Sequence, residues 1–275
     1  MALLLARLHD ARQRIRDDRA ELMRMIYNDL WDDGTVTPSS AQPGYAGANT
    51  QNQFTIKAWR TTADTDENIV LDYGSAVSAD GVAIIGHNLT ASATINLQGN
   101  ATDSWGAPSI DETVTSRSGV ILHWFTSGSY RYWRVRIQDA TNPDTYLQVG
   151  RIILGPRFSI TENGQSSVAE FPESRVRGDR VSFALSNEPY ADIGPAHREY
   201  SYEFRNIGDT LKTAFDTMTA AVGRHTPVLF TNFDDNTGSN WDYIEPIYAI
   251  VNADQQPDWL GSGRWTVSLS VREVA

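Results

Sequence analysis

Five histidines, His9, His87, His123, His197 and His225, are the side chains best placed to move a proton near neutral pH. None stands in a metal-binding spacing such as H-E-x-x-H, and neither G-x-S-x-G nor a phosphate-cradling glycine loop accompanies them. His87, in IIGHN, falls at an expected strand end, where a bond to nearby backbone is expected in preference to a catalytic base. His225 follows the expected end of a helix, a place that favours a cation through the helix dipole. FDDNTGSNWD at 233–242 gathers Asp234, Asp235, Asn236, Asn240 and Asp242, oxygen donors of the kind calcium takes. The spacing is not that of an EF-hand loop, so a solvated turn is expected, and DTDEN at 64–68 reads the same way. The chain has no cysteine, which removes disulfides, thiolate metal sites and cysteine nucleophiles together. No nucleophile with its base and no carboxylate pair is legible, so the sequence predicts no catalytic residue, no metal and no cofactor.

Composition narrows the partners. The 275 residues carry a formal charge of −11, with no basic stripe of the kind that neutralises phosphates. Neither nucleic-acid recognition nor an acidic membrane surface is therefore expected. No run approaches the ~18 apolar residues of a membrane span. The lack of cysteine makes folding in a cytoplasm the simplest expectation, and the opening MALLLARLHDAR has too short an apolar core for a secretory signal.

Three segments would have to position any site. Over 3–29, Leu4, Leu8, Ala11, Ile15, Leu22 and Met25 recur at three- and four-residue steps, which predicts an amphipathic helix and an N-terminal extension over 1–29. Asp18 interrupts its stripe. From Trp31 to Phe158 the period falls to two. Short runs (IVLDYG, DGVAIIGHN, ATINLQGN, GVILHWF, YWRVRIQD, YLQVGRIILG) alternate with turn residues, which predicts an all-β sandwich over 30–157. In DGVAIIG, Val82 and Ile84 alternate with Ala83 and Ile85, so both faces are apolar and the strand is expected to be central.

Residues 158–275 mix strands with one helix. RVSFALS, REYSYEFRNI, PVLFTNF, IEPIYAIVN and RWTVSLSVREV read as strands. GDTLKTAFDTMTAAVG reads as a helix with Leu211, Phe215, Met218 and Val222 on one face, capped by Asp209 or Thr210 and ended by Gly223. One helix on an antiparallel sheet is an α+β domain.

The middle segment resembles a discoidin domain, a jelly-roll β-sandwich of the galactose-binding-like class. The residues that carry this are VTPSSAQPGYAGAN at 36–49, KAWRT at 57–61, IVLDYGSAVSADGVAIIGHN at 69–88, YRYWRVRI at 130–137 and LQVGRIILG at 147–155, in the family's order. The lead-in NDLWDDGTVTPSSA and the closing ATNPDTYLQVGRIILG look like those of bacteriophage tail proteins. The tract from REYSYEFRNI to WTVSLSVREV looks like the tube-type α+β domain of distal or minor tail proteins. The resemblance implies a homo-oligomeric ring at or near the distal end of a tail, in the baseplate or tail tip. The sandwich would lie on its outside, with tail-tube and tail-tip proteins as neighbours. It implies a structural protein, not an enzyme, located in the virion tail and assembled in the bacterial host cytoplasm.

Discoidin-like domains bind glycans or lipid headgroups through loops at one end of the sandwich. The resemblance places GNATDSWGAPS at 99–109 and HWFTSGSY at 123–130 in those loops. Trp105, Trp124 and Phe125 offer flat faces for sugar rings, with Asn100, Asp103 and Ser127 as polar partners; equally, Trp124 and Phe125 could close the core and Trp105 could cover a loop. A host-surface glycan is thus the alternative partner, through Trp105, Trp124, Asn100, Asp103 and Ser127. In YRYWRVRIQD, Trp133, Val135 and Ile137 face the core, while Tyr132, Arg134 and Arg136 form the wet outer side of a scaffold, or a subunit contact. Arg177-Gly178-Asp179 spells an adhesion tripeptide that a turn into a strand accounts for.

Overall fold

The computed structural model describes residues 23–159, 167–168, 173–177, 180–183, 187–232, 246–252 and 257–274. The segment FDDNTGSNWD and residues 178–179 of the adhesion tripeptide lie outside them. So do residues 1–22, most of the helix predicted over 3–29. The end of that predicted helix is instead strand β1 (Met23–Ile26). The cause is tertiary: Met23 and Met25 are fully buried, and β1 pairs with a neighbour on each side, which outweighs a helical spacing of apolar residues.

The sandwich follows, with β2 (Thr35–Pro38), β3 (Trp59–Arg60), β4 (Glu67–Ile85), β5 (Thr94–Asn100), β6 (Ile110–Val114), β7 (Ile121–Gln138), β8 (Gln148–Val149) and β9 (Arg151–Gly155). Where the sequence suggests four separate strands over 69–88 and 119–138, the chain makes two long ones. β4 and β7 pair antiparallel nearly end to end, with register shifts between Asp72 and Val77 and between Ala79 and Gly81. Such irregularities bend a strand, so each serves both layers. The first halves of the ladder build the layer β2–β4–β7–β5–β6, and the second halves build β7–β4–β9. Trp31, Trp59, Leu71, Ile84, Leu97, Trp133, Val135 and Ile152 meet between the layers as the first core.

The chain then returns through β10 (Phe158–Ser159), β11 (Ser167–Val168), β12 (Glu173–Arg177), β13 (Arg180–Phe183), β14 (Pro189–Asp192), β15 (Ala196–Gly208), helix α1 (Asp209–Val222), β16 (Val228–Asn232), β17 (Ile247–Val251), β18 (Asp258–Gly261) and β19 (Arg264–Glu273). Every described pairing is antiparallel, in the order β10–β1–β16–β17–β19–β15, with β11 and β12 beyond β15 and β18 on β19. On α1, Phe215, Met218 and Val222 are buried, and Leu211 is partly so, in a core shared with Phe204, Phe230 and Val267. The helix opens after Gly208 without a side-chain cap. Asp209, expected to cap it, accepts the Trp265 indole N–H at 2.7 Å instead. Gly223, at φ 56°, ends it in the left-handed region that glycine tolerates.

Because β1 pairs with both β10 and β16, the sandwich is an insertion between two adjacent strands of the larger sheet. Its second layer rests on that sheet. Ala83, Ile85, Trp124 and Ile153 pack with Ile26, Leu229 and Tyr248. This is why DGVAIIG is apolar on both faces: Val82 and Ile84 enter the sandwich core, while Ala83 and Ile85 enter the junction. Arg151, 2% exposed, donates to Asp29 and Asp32 at 2.8 Å each beside this contact. The Tyr248 hydroxyl donates to the Gln53 carbonyl at 3.2 Å. Next in the chain after β12, β13 and β14 pair with each other as a separate two-stranded arm. Phe183, Tyr190 and Ile193 are exposed along it.

Candidate functional site

The first layer of the sandwich has a polar outer face, built by the two-residue period and only partly open, with Gln98 at its centre 4% exposed. Register aligns Val70, Arg134, Gln98 and Asp111 in one row across β4, β7, β5 and β6. Asn68, Arg136, Asn96 and Thr113 form the next row, and Asp72, Tyr132 and Asn100 a third. Their opposite neighbours Trp133, Val135, Ile95 and Leu97 are buried, so the polar members have only the outer face to occupy.

These polar groups bond across strands. The Arg134 Nε donates to Gln98 Oε1 at 2.7 Å, and its Nη2 donates to the same oxygen. Gln98 passes its own N–H to Asp111 Oδ2 at 3.0 Å, and Asn96 donates to Asp111 Oδ1 at 2.9 Å. A neutral amide therefore stands between the guanidinium and the carboxylate, which do not pair directly. Arg136 does pair, donating through Nε and Nη2 to Asp66 at 2.7 Å each, and this hydrogen bonding holds the Asp66 carboxyl below its usual range. Arg131 grips Asp72 at 2.7 and 2.9 Å and pulls that carboxyl down to about 2. Burial, then the neighbouring Arg136, lowers Arg134 from the ordinary guanidinium value.

The loop after β5 folds back over this face. On the inner side, Gly99 leaves room for the core, since a Cβ there would lie 2.6 Å from the Tyr130 ring and 2.7 Å from Ile110. Asn100 staples the loop: its amide donates to the Ser104 carbonyl at 2.7 Å, and its oxygen accepts from the Ala101 N–H and the Ser109 hydroxyl. Trp105 is then fixed at two points. Its indole N–H donates to Asp103 Oδ1 at 2.7 Å, and its ring centroid lies 4.5 Å from the Arg134 guanidinium carbon. The result is a half-buried aromatic ring, oriented before any ligand arrives, beside donors and acceptors with lone pairs and N–H groups left over.

The expected site residues separate into two groups. Trp105, Asp103 and Asn100 come together on this face. Trp124 does not join them: it is 7% exposed, packed in the junction, and flanked by the guanidinium groups of Arg24 and Arg157 at 5.9 Å each. A Cβ at Gly81 would come within 2.3 Å of its ring, so the backbone of β4 lies directly against it. Phe125 closes the core against Trp133. Ser127 is exposed on the bend of β7, away from the Arg134 row. His87 accepts the Leu89 backbone N–H at 3.1 Å, and burial lowers its pKa. Arg134, Gln98, Asn96 and Asp111 were not among the expected site residues. Their signal was present, because Asn96, Gln98 and Asn100 alternate with Ile95, Leu97 and Gly99 as Arg134 and Arg136 alternate with Trp133 and Val135.

No protein-family model and no curated protein sequence matches this chain. Among solved structures, a chitosan-binding module of a chitosanase/glucanase from Paenibacillus sp. IK-5 is similar, with 19% identity and a TM-score of 0.39 over 46% of this chain and 96% of that one. The lectin domain of lectinolysin complexed with Lewis B antigen is similar at 12% identity and a TM-score of 0.39, over 47% of this chain and 96% of that one. A Streptococcus pneumoniae fucose binding module is similar at 15% identity and a TM-score of 0.38, over 46% of this chain and 94% of that one.

Proposed function

We propose that the sandwich is a saccharide-binding module, held by the nine-stranded unit, and that the chain binds without catalysing. The observation that carries this reading is the Trp105 ring, locked between Asp103 and Arg134 over a row of cross-strand amides and carboxylates. A pyranose presents an apolar C–H face and a rim of hydroxyls that both donate and accept. A pre-oriented indole supplies the matching flat surface, and the row supplies both hydrogen-bonding senses. Little ordering remains to be done on binding, which favours affinity from a small contact. A glycan array probed with the full chain tests it. Saturable binding that Trp105→Ala abolishes, with the unfolding temperature unchanged, supports the reading; a blank array with folded protein overturns it.

A second reading is favoured by a different observation, the arm of β13 and β14 with Phe183, Tyr190 and Ile193 exposed at 66%, 62% and 78%. Large exposed apolar side chains on a two-stranded arm fit a contact with further copies of the chain. On this reading the nine-stranded unit assembles into a ring at the distal end of a phage tail, made in the host cytoplasm, and the sandwich stands on its outside. The two readings are compatible in one protein. Mass photometry and electron microscopy of the purified chain test the second: rings support it, and a monomer at high concentration, even with tail-tube and tail-tip proteins added, overturns it.

A further inference from the structure

The charge layout around Trp105 specifies more than a saccharide; it selects among saccharides. This step rests on the binding role proposed above for the outer face. Arg134 spends Nε and one Nη2 hydrogen on Gln98 and leaves Nη1 to a ligand. Asp111 is held through both oxygens by side-chain amides, and Asp103 through one oxygen by the indole, so each keeps lone pairs. The row from Arg134 through Gln98 to Asp111 offers a donor end and an acceptor end on either side of one amide, joined to it by hydrogen bonds of 2.7 and 3.0 Å. Three carboxylates, of Asp66, Asp103 and Asp111, act on Arg134, against the one further cation Arg136. An anionic sugar would meet these carboxylates and a chain of charge −11. An ammonium-bearing sugar would gain from the same carboxylates but would have to place its charge beside the Arg134 guanidinium, which is already stacked on the ring.

We infer that the face takes a neutral, hydroxyl-rich saccharide, its C–H side on the outer surface of Trp105 and its hydroxyls bridging the Arg134 donor end and the Asp111 acceptor end. Binding of this kind depends on hydrogen bonds and stacking, not on net charge, so it is insensitive to salt.

Calorimetric titration of the full chain with three sets of trisaccharides decides it: neutral hexose (cellotriose, maltotriose, mannotriose), galacturonate, and glucosamine. The expected result is binding of a neutral trisaccharide, changed less than twofold between about 0.05 and 0.5 M NaCl, and weakened about tenfold or more by Trp105→Ala. Asp103→Ala, which frees the indole but keeps the ring, is expected to weaken it by an intermediate factor. Binding confined to galacturonate or glucosamine, or falling steeply with salt, overturns this inference and leaves the saccharide-binding role standing. Neutral binding untouched by Trp105→Ala overturns the site. No binding to any set, with the array also blank, overturns the role itself.

Discussion

Met25 and Phe158 are cross-strand partners on adjacent antiparallel strands, and the whole sandwich lies between them in the chain. The two connections therefore leave the larger sheet side by side, through β1 and β10. Replacing residues 28–156 with a short turn joins two strand ends that are already neighbours. The expected outcome is a shortened chain that keeps a β-rich circular dichroism spectrum and a cooperative thermal transition. Its transition should lie below that of the full chain, because Ile26, Leu229 and Tyr248 lose their cover.

Gly155 marks how tightly that junction is built. A Cβ there would lie 2.2 Å from the Asn28 carbonyl oxygen and 2.8 Å from the Ile26 side chain. The first obstacle is backbone, which cannot swing aside. Gly155→Ala is expected to destabilise by about 1–3 kcal/mol, read as a lower urea midpoint at unchanged slope.

Asp29 gives the junction a pH dependence. Its carboxylate takes the Trp31 and Leu154 backbone N–H groups and Arg151, and it faces Asp32, with Asp33 beyond and Tyr248 across the contact. Burial pushes it up from 3.8 to about 7 despite Arg151. A folded pKa above the unfolded one means the folded state holds the proton more tightly. The stability so gained is complete below about pH 4 and is lost as pH rises through about 7. Between pH 5 and pH 8 Asp29 therefore pulls the unfolding temperature down as pH rises, against His87, whose lowered pKa acts in the opposite sense, and Asp29→Asn is expected to remove the downward contribution. Asp72, held down to about 2, acts in the opposite sense and only in strong acid, outside this window.

Much of this fold was legible because period-two alternation reports burial directly. The strands around Trp133, Tyr202 and Leu269 follow it, and β5 follows it as far as Leu97, beyond which Gln98 is also covered; the apolar face of α1 follows the helical period instead. What misled was context. Met25 satisfies a helical spacing equally well, and only its long-range partners Phe158 and Phe230 decide for a strand. Trp124 reads as a loop aromatic until the second unit covers it. Arg134 reads as ordinary wet surface, since nothing near it in sequence announces that Trp105, 29 positions earlier, lies over its guanidinium.

Asp139 offers a contrast between stability and binding. It is 2% exposed and accepts from the Thr90 N–H at 2.8 Å, the Thr90 hydroxyl at 2.6 Å and the Asn142 amide at 3.1 Å, tying two loops together. Asp139→Ala is expected to cost about 3 kcal/mol, as charge-assisted buried bonds are lost and their donors stranded. Its effect on the saccharide titration at a temperature where the protein stays folded should be under twofold.

The arm makes its own prediction. Phe183→Ser with Tyr190→Ser alters side chains that face solvent in the single chain, so thermal stability should move by less than about 0.5 kcal/mol. Self-association, followed by sedimentation velocity, should fall markedly. Unchanged assembly would remove the arm from the subunit contact.

The paired tethers at β1 and β10 have a mechanical consequence. A lone linker would let a loaded sandwich swivel and dissipate any sideways tug in its own slack. Two adjacent tethers, clamped by the apolar seat around Leu229 and Tyr248, turn such a tug into a lever acting on β1, β10 and β16 at once. Force applied to the sandwich would thereby be delivered to the backbone ladder of the larger sheet.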